Sequence, residues 1–487
     1  MRAIVRSLIK LVLATSLILG VTGAYAQTDP AAQPTATAPV AAPAQLAASP
    51  SAAAAVLATP AAQAAAPQAS KFDGADTAWM LISTVLVLLM TMPGIILFYG
   101  GMLRTKNALS IVAHTIAASA AITLTWCVIG YSLAFTSGTA WVGGLDRLFA
   151  NGLIGKLVGA HVSAPTIPES VFFLFQLSFA IITFALILGA TAERMRLGIA
   201  MLFAVLWTVF IYAPVAHWVW HPNGWLARIG HMDFAGGTVV HIASGISGLA
   251  AAWVLGPRRG FGKEPMTPNN LMITVIGGGL LWAGWFGFNA GSAFEASSRA
   301  AGALLATQVA ACCGAMAWGI FEYTHRGQWS VLGSLTGAIA GLIAVTPASG
   351  YVGIDGSLAI GAISGAICYL SVVNFKRLTG IDDSLDVFAL HGVGGLIGTV
   401  LTPVFATVAI APVTASVLTN SMGALAVMAY AGIGTVVILK AISMFTRLRV
   451  NEEAEKVGLD MAQHGEMLAP NARAPVSPAR WPARVSP

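Results

Sequence analysis

Long apolar runs alternate with short polar segments from about residue 78 to residue 445. A helix that crosses the hydrocarbon core of a bilayer needs roughly 20 consecutive apolar residues, and eleven runs meet or approach that length. We predict transmembrane helices at 78–101, 108–136, 169–192, 197–219, 236–256, 270–292, 301–323, 330–346, 357–375, 385–405 and 417–445. The predicted fold class is therefore an all-α membrane protein with eleven transmembrane helices.

The two ends of the chain have a different pattern. Residues 1–26 combine three basic residues with an apolar stretch and the small-residue site AYA, which is typical of a cleaved signal peptide. Residues 27–75 form an Ala/Pro-rich leader with little to bury, and we predict that it is disordered. Residues 76–446 are the predicted membrane domain, and residues 447–487 form a charged tail.

Composition supports a membrane protein. Hydrophobic residues make up 57% of the chain and charged residues only 9%, whereas soluble domains carry about a quarter charged residues. The net charge of +6 does not indicate nucleic-acid binding, because the basic residues are scattered between apolar runs. The four cysteines lie in apolar runs without the spacing of a zinc site, and we predict no cofactor.

Loop charge predicts the orientation of the chain in the membrane. A cleaved signal leaves the mature N-terminus outside, and an odd number of spans then places the C-terminus inside. The loops assigned to the cytoplasm contain most of the lysine and arginine residues between spans, among them Arg258 and Lys376, as the positive-inside rule requires. We therefore predict a multi-pass protein of the cell inner membrane, with a periplasmic N-terminus and a cytoplasmic C-terminus.

Two predicted spans contain a histidine. His241 lies in the fifth span and His391 in the tenth, and Asp233 and Asp386 lie near the starts of the same segments. Ionisable groups within a bilayer cost about 2.5–3.5 kcal/mol and are often functional, although a single histidine can equally be a polar contact between helices. The spacing from aspartate to histidine differs between the two spans. The repeated order, an aspartate followed by a histidine, is nevertheless what an inverted repeat of five plus five helices would give.

The chemistry of histidine suits a path for a small nitrogenous solute. A neutral imidazole offers one hydrogen-bond donor and one acceptor, and its ordinary pKa lies near neutrality. A metal site is the alternative, but no third ligand stands three or four residues from either histidine. An enzyme is disfavoured because the sequence has no nucleophile–base pair, phosphate-binding loop or metal cluster.

Five segments resemble signature segments of the family of ammonium transporters, methylammonium permeases and Rhesus proteins. They are PGIILFYGGMLRTKN, PVAHWVW, DFAGGTVVHI, GWFGFNAGS and DVFALHGVGG. The resemblance extends over about residues 76–465 with the motifs in the family's order. It implies an eleven-span protomer in a homotrimer, with one pore per protomer and ammonium or methylammonium as the substrate.

The same resemblance assigns roles to individual side chains. The implied residues are His241 and His391 for the pore, Phe179 and Phe288 for the gate, Trp220, Ser292 and Phe179 for the external cation site, and Asp233 and Asp386 as supporting residues. Aromatic faces bind cations with about 0.5–2 kcal/mol each. Without the resemblance, the aromatic residues would be interpreted as packing or lipid contacts, and Trp218 or Trp225 could replace Trp220.

These residues predict an ammonium transporter that recruits NH₄⁺ at an external aromatic site, deprotonates it and conducts it through a hydrophobic twin-histidine pore. The alternatives are a Rhesus-type gas channel for NH₃ or CO₂ and a membrane ammonium sensor. The tail resembles the family's cytoplasmic regulatory tail through EE, GLD and HGE, which implies a PII-type signalling protein as a partner at the cytoplasmic face. A tail that is only solvated is the alternative, because the aromatic residue usual after HGE is missing.

Overall fold

The computed structural model of the protein describes residues 72–155 and 158–468. The predicted signal peptide, nearly all of the leader and the end of the tail lie outside the described residues. Within the described ranges the fold is all-α, and β-pairing is limited to three isolated bridges between single residues.

Eleven helices occupy the predicted spans. They are α1 (Gly74–Met102), α2 (Thr105–Phe135), α3 (Glu169–Thr191), α4 (Leu197–Trp207, continued by Thr208–Tyr212 and Ala213–Trp220), α5 (Gly237–Leu255), α6 (Leu271–Gly291), α7 (Ser298–Arg326), α8 (Val331–Val345), α9 (Ile354–Thr379), α10 (Phe388–Phe405) and α11 (Val417–Ser443). A short helix, α12 (Glu452–Val457), follows in the tail.

Ten of these helices are long and apolar enough to cross a membrane, and α8 is the shorter one. Its 15 residues extend about 22 Å at 1.5 Å per residue, less than the roughly 30 Å of the hydrocarbon core. The chain then continues in buried turns over residues 346–350. The sequence predicted this span at 330–346, within one residue of the helix at each end.

Local sequence explains where several helices begin and end. α7, α8 and α11 start after Ser297, Ser330 and Ser416, whose side chains accept a hydrogen bond from the first turn. Such caps satisfy N–H groups that have no partner within the helix. α9 ends at Gly380, which has a φ of 71°, a left-handed conformation that glycine adopts without strain.

Helices α1–α5 and α6–α10 form two corresponding sets. α5 and α10 both begin with a π-helical turn, Gly237–Ile242 and Phe388–Gly392, and each turn contains one of the two histidines. Since each set crosses the membrane an odd number of times, the second set runs in the opposite sense to the first. α11 packs against α5 and α10 outside the repeat. The fold is the predicted inverted five-plus-five repeat with an eleventh helix.

Helices α5 and α10 approach each other closely at glycines. A Cβ atom on Gly245 would collide with the backbone of Gly392, and a Cβ on Gly395 would lie 2.9 Å from the backbone oxygen of Gly237 and from the Cβ of His241. Small residues let helix backbones come together in this way. The close crossing brings two histidines that are 150 residues apart in sequence to the same depth of the bundle.

A buried ion-pair cluster joins four loops at one end of the bundle. Arg258 Nη2 lies 2.8 Å from Asp382 Oδ1, and Arg104 Nη2 lies 2.5 Å from Glu193 Oε2. Burial favours the neutral form of Asp382, but the hydrogen bonds and charge of Arg258 hold the pKa of this carboxyl below its usual value. The charges of the cluster therefore satisfy one another away from water.

The described part of the tail packs against the start of α2. The carboxylate of Asp460 accepts hydrogen bonds from the backbone N–H groups of Leu109 and Ser110, at 3.0 and 2.6 Å. Lys106 donates to the backbone oxygen of Glu455 in α12 at 2.9 Å. These contacts join the tail to the membrane domain of the same protomer.

Candidate functional site

A cavity of about 50 Å³, which we call the outer cavity, lies where the end of α4 meets α3 and α6. Phe179 of α3, Trp220 at the end of α4 and Ser292 directly after α6 contribute to its wall. The rings of Phe179 and Trp220 are 5.7 Å apart and nearly perpendicular. The Ser292 hydroxyl donates to the Phe288 carbonyl at 2.9 Å, so its lone pairs can accept a further hydrogen bond.

The other two candidate tryptophans lie elsewhere. Trp218 and Trp225 pack against Trp141, with ring centroids 5.8 and 5.5 Å from it. Trp220 lines the outer cavity and donates its indole N–H to the backbone oxygen of Asp233 at 3.1 Å. The structure therefore brings Trp220 together with Phe179 and Ser292.

Gln176 is a further polar residue in the wall of the outer cavity. Its side chain is only 3% exposed, and its amide oxygen has no hydrogen-bond partner among the described residues. A buried acceptor without a donor costs about 1–3 kcal/mol, and a bound cation with N–H groups would supply the donor. Sequence reasoning missed Gln176, although it stands one helical turn before Phe179.

Asp233 supports the start of α5. Its carboxylate accepts hydrogen bonds from the backbone N–H groups of Gly236, Gly237, Thr238 and Val239, at 2.7 to 3.2 Å. Burial raises the pKa of Asp233, and these hydrogen bonds oppose that rise. The residue thus holds the π-helical turn with its side chain and Trp220 with its carbonyl.

The counterpart of Asp233 in the second half of the chain is Asp383. Its Oδ2 accepts from the backbone N–H of Phe388 at 2.7 Å, at the start of α10. Asp383 precedes His391 by the same interval of eight residues by which Asp233 precedes His241. This equal spacing was readable in the sequence and was missed.

Asp386, predicted as a supporting residue, has different surroundings. It adopts a φ of 58° and pairs with Lys376 Nζ at 2.9 Å. Burial raises the pKa of Asp386 to about 6, although Lys376 acts in the opposite direction. Asp386 lines a different cavity from the histidines, and its carboxylate does not cap α10.

Two stacked phenylalanines stand between the outer cavity and the pair of histidines. The rings of Phe179 and Phe288 are 4.1 Å apart with an angle of 19° between their planes. The ring of His241 follows at 6.1 Å from Phe288. The two stacked rings therefore leave no open passage between the outer cavity and His241.

The two histidines meet beneath the stacked phenylalanines. Nδ1 of His241 lies 3.1 Å from Nδ1 of His391, and both side chains are buried. They line a cavity of about 20 Å³, the lumen, whose other walls are almost entirely apolar. That volume holds about one water-sized molecule. Within the described residues no cluster of three His, Cys, Asp or Glu side chains could hold a metal.

The lumen leads to a wider, polar cavity of about 260 Å³, the vestibule. Leu385 lines both cavities. The vestibule is lined by charged residues that include Arg104, Glu193, Lys376 and Asp386. Outer cavity, stacked rings, lumen and vestibule follow one another through the bundle, and only the middle of this path is narrow and apolar.

Comparisons with known proteins agree with this arrangement. A sequence model of the Ammonium Transporter Family matches residues 78–469. The ammonium transporter of Bacillus subtilis (strain 168) is 44% identical over 400 residues, which cover 80% of this chain and 97% of the relative. The ammonium transporter of Aquifex aeolicus (strain VF5) is also 44% identical, over 404 residues that cover 82% of this chain and 94% of the relative.

Solved structures show the same fold. The crystal structure of Candida albicans Mep2 matches with a TM-score of 0.73 and 36% identity, covering 79% of this chain and 88% of that chain. A structure described as a sensor Amt protein matches with a TM-score of 0.74 and 29% identity, covering 80% of this chain and 98% of that chain.

Proposed function

Because this chain belongs to the ammonium transporter family, we infer that it is an ammonium transporter in which NH₄⁺ is recruited in the outer cavity, loses its proton and passes the lumen as NH₃. Transport of ammonium by a multi-pass membrane protein follows from the family. The route and the role of each residue are our proposal. The observation that carries it is the narrow, apolar lumen with its pair of histidines beneath two stacked phenylalanines.

The outer cavity offers what an ammonium ion needs when it leaves water. The aromatic faces of Trp220 and Phe179 attract a cation, and the oxygens of Ser292 and Gln176 can accept its N–H groups. K⁺ carries the same charge but donates no hydrogen bonds. Directional acceptors in a cavity of about 50 Å³ therefore favour ammonium over K⁺.

The lumen disfavours a charged solute. Moving an ion out of water into a low-dielectric interior costs several kcal/mol even after relaxation of the protein, and the lumen presents apolar walls except at the histidines. Neutral NH₃ avoids this cost and can exchange hydrogen bonds with an imidazole. Deprotonation at Phe179 and Phe288 is followed by passage of NH₃ along His241 and His391. The released proton crosses to the same side separately from NH₃, so that one positive charge moves with each ammonium taken up.

Uptake of labelled methylammonium into proteoliposomes tests the proposal, with K⁺ flux measured in parallel. His241→Ala and His391→Ala should each abolish uptake or admit K⁺, because each removes a polar group from an otherwise apolar path. If both variants took up methylammonium at the wild-type rate and still rejected K⁺, the histidines would not form the path. A wild-type protein that binds ammonium without any uptake would favour the sensor alternative.

The remaining features of the prediction are proposals about the cellular context. We propose a homotrimer in the inner membrane with a periplasmic N-terminus, a cleaved signal peptide at residues 1–26, a leader at 27–75 and a cytoplasmic tail at 447–487. Exposed apolar side chains on the helices, such as Leu124 and Ile433, suit contact with lipid or another protomer. The docked tail supports regulation from the cytoplasmic face, where a PII-type protein could bind.

A further inference from the structure

The hydroxyl of Thr346 stands at the end of α8, beside the histidine pair. α8 ends at Val345, and the backbone N–H of Thr346 bonds to Ile343 instead of continuing the helical ladder to Leu342. The Thr346 hydroxyl donates to the Leu342 carbonyl instead of the missing backbone N–H, at 2.8 Å. Because helix ends leave carbonyls without their usual donors, the single hydroxyl hydrogen is committed to Leu342.

The oxygen of Thr346 is then available only as an acceptor. Trp285 Nε1–H, which can only donate, bonds to Thr346 Oγ1 at 2.9 Å. His241 Nε2 lies 3.4 Å from the same oxygen. A hydroxyl has one hydrogen and two acceptor positions, so the contact with His241 requires the hydrogen to be on His241 Nε2.

This assignment determines the bond between the two histidines. A neutral His241 with its hydrogen on Nε2 has a lone pair on Nδ1. His391 Nδ1, at 3.1 Å, must then donate its hydrogen to that lone pair. The Nε2 of a neutral His391 consequently has no hydrogen, and no group among the described residues bonds to it, while His391 itself lines the lumen.

We propose that Thr346 is a positioning residue that fixes the tautomers of the histidine pair, so that the Nε2 lone pair of His391 is the hydrogen-bond acceptor for the solute in the lumen. The proposal rests on the function proposed above. The proposal gives the two histidines different roles, although they look equivalent in sequence. Both ring nitrogens of His241 are hydrogen-bonded to protein groups, whereas Nε2 of His391 is free to accept a hydrogen bond from ammonia.

The tautomers can be measured directly by ¹⁵N NMR on the full-length protein in lipid bilayers, with labelled histidine. Spectra of His241→Gln and His391→Gln assign the signals of the pair. We expect the Nε2–H tautomer for His241 and the Nδ1–H tautomer for His391. The opposite pair of tautomers, or rapid exchange between them, would overturn the proposal, and neither result depends on a variant of Thr346.

Two substitutions at Thr346 separate hydrogen bonding from packing. Thr346→Ser keeps the hydroxyl and should retain the tautomers and most of the ammonium current. Thr346→Val keeps the shape but removes the acceptor, so we expect mixed tautomers and a loss of current of about tenfold, the effect of one unsatisfied buried group. Wild-type tautomers and current in a folded Thr346→Val protein would contradict the proposal.

A control addresses the second bond to Thr346. Trp285→Phe removes the indole donor and leaves the contact between Thr346 and His241, so the tautomers should stay as in the wild type. Loss of the tautomers in Trp285→Phe but not in Thr346→Val would assign the positioning role to Trp285 instead. Failure of the proposed function is distinguishable, because a wild-type protein without ammonium uptake could still show the expected tautomers.

Discussion

Replacement of Trp220 by leucine should weaken capture of ammonium more than its passage. The substitution removes one aromatic face from the outer cavity and the hydrogen bond from the indole to the Asp233 carbonyl. A cation–π contact in a desolvated site contributes about 1–2 kcal/mol. Since 1.4 kcal/mol corresponds to a factor of ten, the half-saturating ammonium concentration should rise about 5- to 30-fold.

Currents measured over a range of ammonium concentrations test this expectation. The current at saturation should change little, because the lost contact stabilises the captured ion and not the later passage through the lumen. Trp220→Phe keeps an aromatic face but loses the bond to Asp233, and we expect an intermediate shift. It therefore separates the two contributions.

Trp218→Leu is the matched control, because Trp218 packs against Trp141 and not in the outer cavity. It should leave the half-saturating concentration unchanged. An unchanged response in Trp220→Leu together with a shifted response in Trp218→Leu would refute the assignment of the outer site. A fall in saturating current alone would instead place Trp220 in the passage step.

Three further predictions follow from the same geometry. Gln176→Leu should raise the half-saturating ammonium concentration about fivefold or more, by loss of one buried acceptor, and should reduce discrimination against K⁺, as competition experiments can measure. Asp383→Ala removes the cap of α10 and should destabilise the protein by about 1–2 kcal/mol, seen as a lower Tm. Gly458→Asp should impair transport and tail docking, because Gly458 has a φ of 109° and a Cβ there would collide with Lys106. Deletion of residues 451–487 should also lower transport, but it should not prevent insertion of the protein into the membrane. Full transport by a correctly assembled protein without residues 451–487 would show that the tail is only a solvated appendage.

The helices were predictable because the bilayer selects them by hydropathy alone. The third span, predicted at 169–192, is Glu169–Thr191 in the structure, and the ninth, predicted at 357–375, lies within Ile354–Thr379. The eighth span, predicted at 330–346, is Val331–Val345 in the structure, but hydropathy could not show that the buried hydroxyl of Thr346 at its end contacts His241.

The sequence motifs predicted which of the candidate site residues lie close together, and their roles remain predictions. The histidines, phenylalanines and Trp220 stand in recognisable segments, and the structure brings them together. Gln176 and Thr346 are neutral residues in apolar surroundings, and only the tertiary structure shows what their polar atoms face. Asp383 was obscured by Asp386, which lies closer to the histidine in sequence but points toward Lys376.

The docking of the tail could not be derived from its charge pattern. A run of acidic residues is compatible with a solvated segment, and the docking contacts are made largely to backbone groups. Asp460 bonds to N–H groups of α2, and Leu459 N–H donates to the side chain of Asn107 at 2.8 Å. Backbone hydrogen-bonding partners of this kind cannot be identified from the pattern of charged side chains in the sequence.

Current recording on wild-type proteoliposomes during an ammonium concentration jump tests the central claim most directly. Recruitment of NH₄⁺ followed by separate passage of NH₃ and of the proton to the same side predicts a transient inward current with ammonium. It also predicts no current with an equal jump of K⁺, and loss of the ammonium-selective current in His391→Ala. Ammonia flux without any current would indicate neutral gas conduction, and a K⁺ current equal to the ammonium current would show that ions cross the lumen intact. Either result would contradict the account.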